Sequence, residues 1–268
     1  MGADPAGSVE IAIDAHVHIY EMDRAEDLLR SSVRNFAHAS GVSSRVAALM
    51  LTESADFDAF ARLREAGSAG DVKLERCGEA ELLSAAIGGW RLLILAGRQI
   101  VSAEGLEVHA LCTTAKLRDG EPLAHVLEEL DELGALVVLP WAVGKWLGRR
   151  RAAVKSALAR GKSDRLFLSD NSARPHFWHE PLFRRAEEIG VKILAGSDPL
   201  PLPGAQRRVG SVGCAVHVEL SEATPVSDLK AALRDPRRPV RRFGSMDTPI
   251  QFLANQMRLR LGDIAARA

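Results

Sequence analysis

The stretch Ile11-Ala12-Ile13-Asp14-Ala15-His16-Val17-His18 decides the reading of this chain. It begins apolar, as a buried strand does, and ends in two histidines separated by one residue. Residues two apart on a strand face the same side. The imidazoles of His16 and His18 therefore point together from the strand end, close enough to share one divalent ion. Imidazole nitrogen suits zinc, iron, nickel or manganese. An H-x-H pair is common by chance, but its context here is specific. An apolar strand precedes it and the helical stretch Ala25–Ala39 follows, closed by Gly41 as a C-terminal cap.

Outward from this motif the chain alternates short apolar runs with amphipathic stretches. Strands are expected over 45–51, 90–96, 99–102, 106–111, 136–139, 166–168 and 191–195. Helices are expected over 56–65, 122–133, 149–160 and 181–189, and 90–96 with 99–102 reads as a hairpin turning at Gly97. Such alternation predicts parallel β-α units buried on both faces. A doubly wound open sheet would alternate in the same way, so the polar residues decide. His16, His18, Glu53, Glu107, Asp170 and Asp198 fall at or just past predicted strand ends. In an α/β barrel those ends converge on one mouth. The 268 residues are read as one barrel domain, with 65–104 a candidate insertion and 214–268 a C-terminal extension packing on the barrel. Within that extension an amphipathic helix over 247–262 carries Phe252, Leu253, Met257 and Leu261, expected to pack on the barrel.

Composition sets outer limits. Hydrophobic residues make up 47% of the chain, enough for a sizeable core. The 35 basic and 35 acidic residues cancel, so there is no global attraction to nucleic acid or anionic lipid, and any polyanion site is local. The runs Arg149–Arg151 and 234–242 read as solvated faces, with no interleaved aromatics to stack bases. No nucleic-acid partner is therefore expected. Cys77, Cys112 and Cys214 are scattered, which argues against a zinc ribbon or a disulfide framework and for a reducing cytosol. Residues 1–10 lack the basic-then-apolar pattern of a signal peptide, and the apolar runs are too short to cross a bilayer. A soluble cytoplasmic protein with no membrane partner is expected, its oligomeric state open.

Three later stretches resemble the polymerase-and-histidinol-phosphatase (PHP) family of metal-dependent phosphoesterases. Ala103-Glu104-Gly105-Leu106-Glu107-Val108-His109 is similar to the family strand ending in Gly-Ile-Glu-Val, whose glutamate bridges metals. Leu194-Ala195-Gly196-Ser197-Asp198 resembles its late Gly-Ser-Asp-Ala-His. The stretch 122–139 looks like the helix and strand leading to the family's His-Pro. The resemblance implies a distorted TIM-like (β/α)7 barrel, with Glu107 and Asp198 joining His16 and His18 as ligands. The departures are as informative. Thr52-Glu53-Ser54 stands where the family has Thr-Asp-His, Pro140-Trp141 where it has His-Pro, and Asp198-Pro199-Leu200 where it has Asp-Ala-His. Three family histidines are missing. The remaining set, His16, His18, Glu107 and Asp198 with Glu53 as a further candidate, suits one or two ions of zinc, manganese or iron.

The function this implies is metal-dependent hydrolysis of a small phosphoester, a small-molecule phosphorylated substrate. A metal keeping an open position makes water acidic enough to attack near neutral pH, and Asp198 is the expected general base. In Gln206-Arg207-Arg208-Val209-Gly210, Arg207 is the expected phosphate clamp. Two rival readings remain: an amidohydrolase-like enzyme cleaving C–N or ester bonds, and a catalytically degenerate barrel that binds a ligand or partner. His109 is read as a buried, hydrogen-bonded structural residue, Asp170-Asn171 as ligand contacts or a turn, and His176 and His179 as loop residues.

Overall fold

The structure is a computed structural model that describes residues 7–160, 164–172, 174–175 and 177–267; His176 lies outside the described residues. The first half runs β1 (Val9–Val17), α1 (Ala25–Ala39), β2 (Val46–Leu51), α2 (Ala59–Ala66), β3 (Ser68–Ala69), β4 (Val72–Lys73), β5 (Glu75–Arg76), β6 (Leu82–Ile87), β7 (Trp90–Leu95), β8 (Gly97–Val101) and β9 (Glu107–Leu111). The second half runs α3 (Leu123–Glu132), β10 (Leu136–Pro140), α4 (Gly148–Arg160), β11 (Leu166–Asn171), α5 (Pro181–Glu188), β12 (Ile193–Gly196), β13 (Gly213–Val218), α6 (Pro225–Arg234), β14 (Arg241–Phe243) and α7 (Pro249–Arg267). No helix among the described residues is long and apolar enough to cross a membrane.

The fold is mixed α/β, and its strands do not close into the expected (β/α)7 barrel. A seven-stranded sheet has the order β14-β13-β1-β2-β7-β6-β5, and a five-stranded sheet has the order β12-β11-β10-β9-β8. The physical reason lies in how the edges are used. β1 pairs in parallel with β2, but its other edge is taken by the antiparallel β13 rather than by β12. β13, expected in a peripheral extension, is thus integral to the sheet. β2 continues into β7, and β6–β7 is an antiparallel hairpin at Gly88-Gly89, where both glycines have positive φ as a two-residue hairpin turn requires. The hairpin expected at Gly97 does not form. Leu95 ends β7 in one sheet, and Gly97 begins β8 in the other. Most of 65–104, the candidate insertion, accordingly supplies sheet strands.

The two sheets share an interior of Ile11, Ile13, Met50 and Leu95 from one side and Leu111, Val138, Phe167 and Leu194 from the other. They meet at two seams. Glu53 forms a single parallel bridge with Arg98, and the Asp198 amide donates to the His16 carbonyl at 3.0 Å. Helices cover the outer faces. α1 turns Leu28, Leu29, Val33 and Phe36 inward at helical spacing, and burying each such side chain stabilises the fold by about 1.5–3 kcal/mol.

At the seam near His16 the backbones pack without room for a side chain. A β-carbon on Gly196 would lie 2.5 Å from both the Cβ and the amide nitrogen of His16. Gly196→Ala is expected to destabilise the protein by about 1–3 kcal/mol or more. Urea unfolding checks this, and an unchanged midpoint would show that the seam is loose.

Candidate metal centre

The site grows from an irregularity in β1. Between Asp14 and Val17, β1 advances three residues while β2 advances two, from Leu49 to Leu51. A bulge of this kind re-aims the residues beside it. It delivers His16 and His18 to the same point, with their Nε2 atoms 3.1 Å apart. Asp198, two residues beyond the end of β12, faces them with Oδ1 3.4 Å from His16 Nε2 and 4.0 Å from His18 Nε2. Its backbone holds a left-handed φ of 46°, uncommon for a residue with a side chain. Asn171 at the end of β11 steadies it, its Nδ2 donating to Asp198 Oδ2 at 2.8 Å and to the Trp141 carbonyl at 2.9 Å.

Burial sets the electrostatics. Desolvation lowers both imidazoles to about 4, opposed at His16 by the Glu107 charge and at His18 by Asp198. Both rings are therefore neutral near pH 7, the form that offers a lone pair to a metal. Desolvation likewise raises Asp198 above the usual carboxylate range, against the lowering influence of His18 and Arg208. Donors sharing one ion at about 2.0–2.1 Å in a tetrahedron stand about 3.3 Å apart. The spacing of His16 from its two partners is close to that. Among the described residues, His16, His18 and Asp198 form the one group whose candidate ligand atoms all lie within 4.8 Å of one another. The donor set therefore fits a divalent ion.

A cavity of about 330 Å³ opens over this group, walled by Tyr20, Gln99, Glu107, Trp141 and Gln256 among others. Tyr20 stacks on His18 with ring centroids 5.4 Å apart. Trp141, where the family resemblance expected a His-Pro, is a buried wall. A larger cavity, about 550 Å³, lies between α3 and α4, with no histidine in its lining.

The other expected site residues are placed as follows. Glu107 reaches the cavity because β9 runs antiparallel to β10, which sets its first residue beside the end of β10. It lies outside the three-residue group and pairs with Lys145 at 3.1 Å. Glu53 does not join the group. Its Oε1 accepts from the Phe60 amide at the start of α2 at 2.8 Å, and it lines a different cavity with Asp58 and Arg98. Burial raises it to about 7. Arg207 is exposed and lines neither cavity that Asp198 lines, because the turn of the 3-10 helix Ala205–Arg208 presents Arg208 there instead. His109 is buried with its ring 4.3 Å from that of His16, but neither of its nitrogens finds a hydrogen-bond partner among the described residues, contrary to the expected bonded role. Asp170 is fully buried and held by Arg174 through two bonds of 2.6 and 2.7 Å, so it is structural. His179 is exposed. On α7, Leu253 and Met257, expected on the packing face, are exposed. Asn171, expected with Asp170 as a ligand contact or a turn, instead positions Asp198, while Tyr20 and Lys145 carry no signal in the sequence.

No family model and no curated protein matches the chain. Solved structures do match its fold. PsfC from Pseudomonas syringae aligns over 94% of this chain and 99% of its own, with TM-score 0.57 and 13% identity. The lesion-specific endonuclease PfuEndoQ from Pyrococcus furiosus aligns over 87% of this chain and 57% of its own, with TM-score 0.51 and 11% identity. A two-domain Bacteroides vulgatus protein containing a predicted PHP-like metal-dependent phosphoesterase aligns over 90% of this chain and 67% of its own, at TM-score 0.48 and 13% identity, a likeness too low to carry an argument. At these identities the likeness is one of fold. It corrects one expectation, that nucleic acid is not a partner. An endonuclease is built on this fold, and a net charge of zero says nothing about the charge local to one mouth.

Asn171→Ala should free Asp198 and weaken zinc or manganese binding by roughly 10- to 100-fold, as loss of a ligand's hydrogen-bond partner does. Isothermal titration calorimetry measures it. Affinity equal to that of the unmodified protein would mean that Asp198 is not part of a metal centre.

Proposed function

We propose that this chain is a metal-dependent hydrolase of phosphoesters, working at His16, His18 and Asp198 with one divalent ion. The observation that carries the reading is the convergence of two neutral imidazoles and one carboxylate at the floor of an open cavity. The PHP-like motifs and the fold shared with an endonuclease support it at the level of reaction type.

A divalent ion in such a set supplies Lewis acidity and makes water acidic enough to be a nucleophile near neutral pH. The protein's own groups do the rest. Asp198, fixed by Asn171 through Oδ2, would accept the proton of the attacking water. Lys145 pairs with Glu107, whose carboxylate lines the cavity, and so offsets a negative charge that would oppose an anionic substrate. Tyr20 covers the face of His18 and limits the approach of bulk water.

Three substrates test the reading: p-nitrophenyl phosphate, bis(p-nitrophenyl) phosphate and lesion-bearing duplex DNA. With zinc or manganese, at least one is expected to turn over. His18→Ala and Asp198→Asn should each lower turnover by roughly 100-fold or more. Turnover that survives chelation, or that both variants retain, would refute the assignment.

A further inference from the structure

Asp198 is a wall between two cavities. Behind the metal centre a second space of about 200 Å³ is lined by Ser172, Asp198, Leu200, Arg208, Asp247 and Arg258 among others. Leu200 also lines both spaces, and α7 faces both, with Gln256 in the first and Asn255 and Arg258 in the second. The two spaces therefore adjoin at Asp198 and Leu200.

The second space is charged in an ordered way. Asp247 is 1% exposed, and its two oxygens are already taken. Oδ1 accepts from Arg208 Nη2 at 2.6 Å, and Oδ2 accepts from Asn255 Nδ2 at 3.0 Å. Its backbone is fixed too, the Asp247 amide donating to the Ser172 carbonyl at 2.8 Å. Asp247 thus acts as an anchor that aims Arg208, whose side chain stays 37% exposed with further N–H groups free to donate. Arg258 is exposed on the same wall, and no acidic side chain among the described residues pairs with it. The two guanidiniums face two carboxylates, Asp198 and Asp247, so the space is balanced while Asp198 is free. With a cation held by Asp198 the balance turns positive. Planar guanidinium forks suit phosphate oxygens through paired hydrogen bonds.

We propose that this second cavity is an anion subsite that takes a phosphate group of the substrate other than the one cleaved. Arg258 and Arg208 are the specificity-determining residues. The proposal rests on reading the first cavity as a phosphoesterase centre, and it narrows the substrate class to compounds with two phosphates near one another. A small bisphosphate and a polynucleotide share that chemistry.

Equilibrium binding tests it without relying on turnover. Calorimetry on the metal-loaded protein compares propyl phosphate, propane-1,3-diyl bisphosphate and a 5′-phosphorylated dinucleotide. Arg258→Ala is the variant of choice because the side chain is exposed and its loss leaves Asp247 paired. The protein is expected to bind at least one two-phosphate ligand roughly tenfold or more tighter than propyl phosphate, and Arg258→Ala should remove most of that advantage while leaving propyl phosphate affinity unchanged. Preference for the dinucleotide would identify a nucleic-acid source of the second phosphate, and preference for the bisphosphate a small-molecule source. Equal affinity for one and two phosphates, or an advantage untouched by Arg258→Ala, would overturn the subsite. Loss of propyl phosphate binding on chelation with no turnover of any ester would instead count against the hydrolase reading while leaving the subsite result interpretable.

Discussion

The arrangement depends on a carboxylate that touches no ligand. Asp14 is fully buried, and it accepts from the Gly210 amide at 2.7 Å, the Ser197 amide at 2.9 Å and the His16 amide at 3.3 Å. Those donors belong to β1, to the residue following β12, and to the segment leading into β13. A carboxylate taken out of water costs heavily unless it keeps its hydrogen bonds, so the three segments are bound to one another through it. Burial still wins the balance in part, raising Asp14 to about 6 against the lowering effect of those amides. Gly196 lets the chains close to contact, and the Asp198 amide to His16 carbonyl bond completes the seam. The histidines and Asp198 face one another over a backbone fixed by these hydrogen bonds and by the close approach at Gly196.

Much of this was readable without coordinates. The helix Ala25–Ala39 follows from its apolar spacing and its glycine stop, and the structure ends it within the same bounds. The alternation in H-x-H and the carboxylate after Gly-Ser indicated three residues that do converge. What escaped is long-range. The pairing of Val9 with Val218 joins residues over two hundred positions apart, and no local pattern encodes it. The hairpin turns at Gly88-Gly89 rather than at the expected Gly97, because the paired glycines take the positive φ that a two-residue turn needs. Choices between neighbours escaped as well. Arg208 rather than Arg207 faces the site because of the phase of one short helical turn. Glu53 satisfies the start of α2, a competing demand for a carboxylate that the strand-end position did not reveal.

The departures from the PHP pattern acquire a physical sense. Where a histidine was expected after β10, Trp141 fills the wall with apolar volume and lends its carbonyl to Asn171. Where a bridging glutamate was expected, Glu107 is neutralised by Lys145 at the rim. Each change removes a negative charge or a donor from the floor of the cavity. What remains at the cavity floor is the candidate donor group His16, His18 and Asp198, and the neighbouring cations stand beside acids, Lys145 with Glu107 and Arg208 with Asp247.

His16, His18 and Asp198 are proposed to grip one ion between them. Anomalous diffraction from crystals grown with zinc or manganese, recorded on both sides of the metal's absorption edge, measures it most directly. One strong peak is expected between the Nε2 atoms of the two histidines and Oδ1 of Asp198. Crystals that show no peak there, or whose ion sits on other side chains, would contradict it.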